Sequence, residues 1–207
     1  MQLQVAIDRV TLDAAVAVAK QLDGHTDIIE MGTSLVKDYG FAGIQAMHQA
    51  ITKSKLLVDL KTIDEGPYEF KQGYAAGADI LTVMGASSTA TLDATYQVAE
   101  DQGKQMMIDL LEVDDTKLAT ITHYPNAIYA LHHSVDRADK MNPVATVADF
   151  HAAHPEVAHL AIAGGINLDG AKELAEQGLT DIVIVGSTIM KAADPVAATQ
   201  TFMEAMN

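Results

Sequence analysis

Residues 55–84 read "KLLVDLKTIDEGPYEFKQGYAAGADILTVM" and hold one complete structural unit. A short apolar run at 55–60 leads into a helical pattern at 67–77, and a second apolar run follows at 78–84. Gly77 stands where a helix C-cap belongs, between the two. A strand, a crossover helix and a second strand of this length predict parallel pairing. The first strand ends in three charges, Asp59, Lys61 and Asp64, where a buried strand has no structural need of them.

The unit recurs along the chain. Further apolar runs are "LQVAID" (3–8), "TDIIEM" (26–31), "KQMMIDL" (104–110), "AIYALH" (127–132), "VAHLAIA" (157–163) and "TDIVIVG" (180–186). Helical patterns fall at 11–22, 34–51, 89–103 and 168–178, and two of these end at Gly103 and Gly178. Strand-helix units of similar length, with no linker between them, predict a single (β/α)8 barrel domain over residues 1–207. An open doubly wound sheet is disfavoured, because no "GxGxxG" turn follows the first strand. At 207 residues the chain is short for a barrel, so its loops must be lean.

The chain has no cysteine and therefore no disulfide or thiolate metal site, which fits a reducing compartment. The start, "MQLQVAIDRV", lacks the basic segment and apolar run of a secretory signal, and no stretch approaches the roughly 18 apolar residues of a membrane span. A cytoplasmic location is expected, with no membrane partner. The net charge is −15, from 28 acidic against 13 basic residues, so the mean field repels nucleic acid. A small phosphate ester remains compatible, because a few backbone N–H groups at a helix start hold one whatever the net charge.

In a barrel, catalytic groups sit at the C-terminal strand ends. Ionisable residues fall there repeatedly: Asp8 on the first strand, Glu30 on the second, Asp59 and Lys61 on the third, Asp109 on the fifth and His132 on the sixth. Alternation places Leu57, Asp59 and Lys61 on one face and Leu56, Val58 and Leu60 on the other. A lysine between two carboxylates stays protonated, and Glu30 with Asp59 on the neighbouring strand stays ionised if a divalent cation lies between them. Oxygen donors of this kind suit Mg2+. An isolated Asp-x-Lys reads as a self-satisfied ion pair; the other strand-end groups make it a site.

The last two strands end in "AGGIN" (163–167) and "VGST" (185–188). Backbone N–H groups near Gly164, Gly165, Gly186 and Ser187 are candidates to surround a phosphate, at the two loops where barrels commonly bind one. His132 suits a general base, and alternation sends only one of His132 and His133 inward. The remaining histidines lie on helical or loop stretches and read as surface or packing residues. Met106 and Met107 read as core, and "EVDD" (112–115) as a solvated loop.

The stretches "AID" (6–8), "IIEMGTSLVKDYG" (28–40), "VDLKTIDEG" (58–66), "AGGIN" and "ADPVAA" (193–198) resemble the 3-hexulose-6-phosphate synthase and 3-keto-L-gulonate-6-phosphate decarboxylase branch of the orotidine monophosphate decarboxylase suprafamily. Its mark, Asp-x-Lys-x-x-Asp, is met by Asp59, Lys61 and Asp64. The resemblance implies that Glu30 and Asp59 hold Mg2+, that Lys61 contacts an enediolate oxygen with Asp8 beside it, and that His132 moves protons. It implies a pentulose or hexulose phosphate substrate, with its phosphate on the glycines of the last two loops. It also implies a homodimer in which Asp64 completes the neighbouring subunit's site.

The two activities share a 1,2-enediolate, made either by proton abstraction from ribulose 5-phosphate or by loss of CO2. Three departures from the decarboxylase pattern favour the synthase: Val135 for the second Arg of His-Arg-Ser-Arg-Asp, Asp109 for Glu, and Ser187 for Arg. The synthase pattern His-x-Gly-x-Asp-x-Gln is itself altered, with Ser134 for Gly and Ala138 for Gln, and Arg137 stands two positions from the missing Arg. The competing reading is a sugar-phosphate-binding barrel without catalysis, against which the joint presence of Asp8, Glu30, Asp59, Lys61, Asp64 and His132 argues.

Overall fold

The apolar runs form the strands of a closed parallel barrel. In the computed structural model, which describes residues 1–134, 136 and 142–206, these are β1 (Gln2–Ile7), β2 (Ile28–Met31), β3 (Lys55–Thr62), β4 (Ile80–Met84), β5 (Gln105–Asp109), β6 (Ile128–His132), β7 (Leu160–Ala163) and β8 (Ile182–Val185). Each strand pairs with the next in parallel, and β8 returns to pair with β1, so no edge is left open. The helices are α1 (Leu12–Leu22), α2 (Thr33–Ala50), α3 (Gly66–Ala75), α4 (Thr89–Asp101), α5 (Asp115–Leu118), α6 (Pro143–Ala153), α7 (Leu168–Gln177), α8 (Ser187–Met190) and α9 (Pro195–Ala205). Among the described residues no helix is long and apolar enough to cross a membrane.

Local chemistry sets the helix boundaries. Thr11, Ser88, Asn142, Asn167 and Asp194 each accept a first-turn N–H with their side chains, and α6 and α9 begin with proline. The expected stops at Gly77, Gly103 and Gly178 are left-handed, with φ of 113°, 59° and 71°. Two readings change. The stretch 34–51, expected as one helix, is broken at Gly40, whose φ of 55° and ψ of −150° lie outside helical space. The "EVDD" loop is solvated as expected, but Asp114 also accepts from the Lys117 N–H at 2.8 Å and starts the single turn α5.

Alternation sends every second strand residue into the barrel, where the registers stack them in layers of four. Ile28, Ile80, Ile128 and Ile182 form the floor, all buried. Above them lie Gln4, Leu57, Met107 and Ala161, then Glu30, Thr82, Ala130 and Ile184. Asp59 and Asp109 reach the mouth opposite Ala6 and Ala163. Polarity thus rises from floor to mouth. The outward faces, including Val5, Val58 and Val183, pack under the helices against Phe70, Ile44 and Leu174, each such side chain contributing about 1.5–3 kcal/mol by burial.

The N-terminal rim carries a repeated device. Asp27, Asp79 and Asp181 directly precede the floor isoleucines of β2, β4 and β8, and each accepts an N–H from the first or second residue of the preceding strand: Leu3 at 2.9 Å, Leu56 at 3.0 Å and Leu160 at 2.9 Å. Their own carbonyls accept from Lys55, Gln105 and Gln2. The Asp-Ile pair therefore closes strand ends and fills the floor at once.

Candidate active site

The C-terminal mouth opens into a cavity of about 620 Å³. One arc is built by Glu30, Asp59, Lys61, Asp109 and His132, and the opposite arc by Gly164, Gly165, Gly186 and Ser187, with Asp8 also in the lining. These sequence-predicted residues therefore meet in one place.

Strand β3 is irregular where it enters the site. Its register against β4 shifts between Val58 and Thr62, and Lys61 adopts a left-handed φ of 48°. That conformation disfavours any residue bearing a Cβ and is held by a bond from the Lys61 N–H to Thr82 Oγ1 at 2.9 Å. The Thr82 hydroxyl in turn donates to Asp59 Oδ1 at 2.7 Å, and the Thr33 hydroxyl donates to Asp59 Oδ2 at 2.5 Å. Lys61 Nζ lies 3.1 Å from Asp59 Oδ2 and 2.5 Å from Asp109 Oδ2. His132 Nδ1 lies 2.9 Å from the same Asp109 oxygen, while Asp109 Oδ1 accepts from the Leu111 N–H at 2.9 Å.

The charges follow from these contacts. Burial works against the Lys61 ammonium, but Asp59 and then Asp109 outweigh it and hold its pKa above the ordinary lysine value. Burial likewise works against the Asp109 carboxylate, only 3% exposed, yet the bond and charge of His132 and then Lys61 hold its pKa down at about 2. In the neutral imidazole the ionised Asp109 oxygen selects the tautomer with its proton on Nδ1, which leaves Nε2 as an acceptor.

Glu30 behaves in the opposite way. Burial first, then the charges of Asp59 and Asp8, raise its pKa to about 8, against the opposing effects of Gln4 and Lys61. Gln4 Nε2 donates to Glu30 Oε2 at 2.6 Å, and Gln4 Oε1 is buried with no hydrogen-bond partner among the described residues. Asp8 accepts from Ser34 Oγ at 2.8 Å and packs over Gly32, where a Cβ would come within 2.5 Å of either carboxylate oxygen. Gly32 thus admits Asp8 to the rim of the cavity.

The opposite arc is backbone. Gly164 and Gly165 have φ of 118° and 65°, and a Cβ on Gly164 would meet the His133 carbonyl at 2.9 Å. Gly186 precedes α8, whose first residue is Ser187, and Thr188 Oγ1 donates to the Ile166 carbonyl at 3.2 Å, tying the two loops together.

Asp64 stands apart. It is exposed in a shallow groove with Pro67, Tyr68 and Thr91, outside the mouth cavity. Ile63 and Tyr68 beside it are 55% and 59% exposed. Val135, Arg137 and Ala138 lie outside the described residues. Sequence reasoning missed Gln4, Thr33 and Thr82. A polar residue on the inward register of an apolar strand is the signal that marks Gln4 and Thr82.

The chain matches the orotidine 5'-phosphate decarboxylase / HUMPS family over residues 1–202. It belongs to that family. A member from Staphylococcus haemolyticus, 3-hexulose-6-phosphate synthase, is 34% identical over 210 residues, covering 100% of this chain and 99% of its own. The crystal structure of 3-hexulose-6-phosphate synthase from Salmonella typhimurium superposes with a TM-score of 0.90 at 31% identity, over 100% of this chain and 98% of that one. Within the same family fold, a structure of KGPDC from Streptococcus mutans matches with a TM-score of 0.85 at 20% identity, covering 99% and 96% of the two chains. The last likeness is one of fold.

Proposed function

We propose that this chain is an aldehyde-lyase of the 3-hexulose-6-phosphate synthase type, joining formaldehyde to C1 of ribulose 5-phosphate. The observation that carries the reading is the Asp59–Lys61–Asp109–His132 chain of charged contacts, facing glycine loops across one cavity. Relatives of synthase name that match 100% and 94% of the chain support it.

The phosphate docks on the N–H groups of the loops holding Gly164, Gly165, Gly186 and Ser187, which directs the keto end of the sugar toward Lys61. His132 Nε2 takes a proton from C1, leaving a 1,2-enediolate whose negative charge develops beside the Lys61 ammonium. C1 then attacks formaldehyde, and the new alkoxide receives the proton. Asp109 holds the tautomer of His132 and the position of Lys61 throughout.

The residues present fit Mg2+. Glu30 is a carboxylate beside Asp59 and Asp8, pushed toward protonation first by its burial and then by their charges, and a cation offsets that push. Among the described residues no three His, Asp or Glu side chains converge as a closed ligand set, in keeping with an ion that retains waters and meets the substrate. Glu30 and Asp59 would hold it, with Asp8 adjacent, and when bound it supplies positive charge to the developing oxyanion. The exposed strip of Ile63, Asp64 and Tyr68 supports a homodimer in which Asp64 serves the partner's site, in a cytoplasmic protein.

The test is consumption of formaldehyde by the protein with ribulose 5-phosphate and Mg2+, with 3-keto-L-gulonate 6-phosphate run in parallel. Consumption that EDTA and Asp59→Asn both abolish supports the synthase. Release of CO2 from the keto acid without formaldehyde consumption overturns it in favour of the decarboxylase.

A further inference from the structure

Four carboxylates, Asp8, Glu30, Asp59 and Asp109, line the cavity that is to admit a sugar phosphate, in a chain of net charge −15. Lys61 is committed to Asp59 and Asp109. Even with Mg2+ on Glu30 and Asp59, backbone N–H groups and a lysine committed elsewhere leave the phosphate end of the cavity without a cation of its own. Two further cations line the same cavity, Arg9 and Lys191, and no carboxylate among the described residues pairs with either.

Their positions converge on the glycine arc. Lys191 follows α8 by one residue, and its N–H donates to the Ser187 carbonyl at 3.0 Å, so it lies one turn from the phosphate loop. Arg9 follows β1, which pairs directly with β8. It holds a left-handed φ of 55°, unfavourable for arginine, and its N–H is fixed by Ser34 Oγ at 2.8 Å. The same hydroxyl donates to Asp8 at 2.8 Å, so one serine holds both the carboxylate and the turn that carries the neighbouring arginine. Along the rim the order is therefore β7 loop, β8 loop, Lys191 and Arg9, all on the arc away from Lys61.

We propose that Arg9 and Lys191 are the charged half of the phosphate subsite: two cations that close over the substrate dianion and select phosphorylated sugars. The inference rests on reading this cavity as a sugar phosphate site. Arg9 presents a fork suited to two phosphate oxygens, and Lys191 a point charge.

Calorimetric titration of the full chain with inorganic phosphate and with ribulose 5-phosphate tests it, using wild type, Arg9→Met, Lys191→Met, the double variant and Lys191→Arg. Each single methionine variant weakens both ligands by about tenfold, the double by more, and Lys191→Arg stays near wild type. In turnover the loss falls on KM for ribulose 5-phosphate more than on kcat. Unchanged affinity in the double variant, or no phosphate binding by wild type, overturns the proposal. If wild type consumes no formaldehyde while phosphate affinity still depends on the two cations, the catalytic reading fails and the subsite stands.

Discussion

Asp27, Asp79 and Asp181 at the N-terminal end of the barrel and Asp8, Glu30, Asp59 and Asp109 at the C-terminal end are the same chemistry in two settings. At the N-terminal end each carboxylate accepts a strand N–H, Asp181 exposed and Asp27 and Asp79 half-buried, and Asp79 adds a lysine, Lys104, at 2.6 Å. Its pKa is lowered: burial opposes this, but the Lys104 and Leu56 bonds prevail. At the C-terminal end the carboxylates face one another across a cavity, and one of them, Glu30, is pushed toward protonation. The first group stabilises the fold, whereas in the second Asp109 is held ionised by His132 and Lys61 while Glu30 carries an electrostatic cost that a cation and a substrate relieve.

Substitutions at the two ends should therefore have opposite signatures. Asp59→Asn should lower kcat by about a thousandfold or more while leaving the thermal midpoint of the metal-free protein equal or higher, because it relieves Glu30. Steady-state formaldehyde fixation and calorimetry check both halves. A large loss of stability would break the comparison.

His132→Asn should cost about a hundredfold in kcat, as expected for loss of a positioned base, with KM for ribulose 5-phosphate little changed. At the other end, Asp79→Ala should cost about 1–2 kcal/mol in urea unfolding through the orphaned Leu56 N–H. Its kcat should be unchanged, since it lies away from the mouth.

The acid limb sharpens the contrast at a single residue. The Asp109 pKa falls from an ordinary 3.8 to about 2 on folding, so its stabilisation is present above the unfolded value and is lost as pH falls through the folded one. Between pH 6 and pH 3 this removes about 1 kcal/mol, and Asp109→Asn should lack that component of the pH dependence. The smallest effect is expected at Gln4. Gln4→Leu removes the donor to Glu30 and should weaken Mn2+ binding by about fivefold in calorimetry.

Much of this was legible before folding. The period of strand and helix patterns, with glycine stops at Gly77, Gly103 and Gly178, prescribes the barrel, and strand-end charges name most of the site. The chemistry of Asp59 and Lys61 shows because charged residues at the end of a buried strand have few structural uses. Gln4 did not show, because one glutamine in a short strand looks like ordinary alternation until the register places it beside Glu30. Thr33 matters through a hydroxyl bond from α2 to Asp59 on β3, and Thr82 through accepting the Lys61 N–H where β3 bends; nothing in "DLKT" announces a left-handed lysine. The Asp-Ile repeat was visible in the sequence, but its role depends on a hydrogen bond to a strand some twenty residues away.

The central claim is that Lys61 and His132 form an enediolate at C1 of a sugar phosphate, and proton exchange tests it without formaldehyde. Ribulose 5-phosphate is incubated with the protein and Mg2+ in D2O and followed by proton NMR. The account predicts loss of the C1 proton signal with wild type and retention with His132→Asn. A wild-type protein that binds ribulose 5-phosphate and leaves its C1 protons untouched would contradict it.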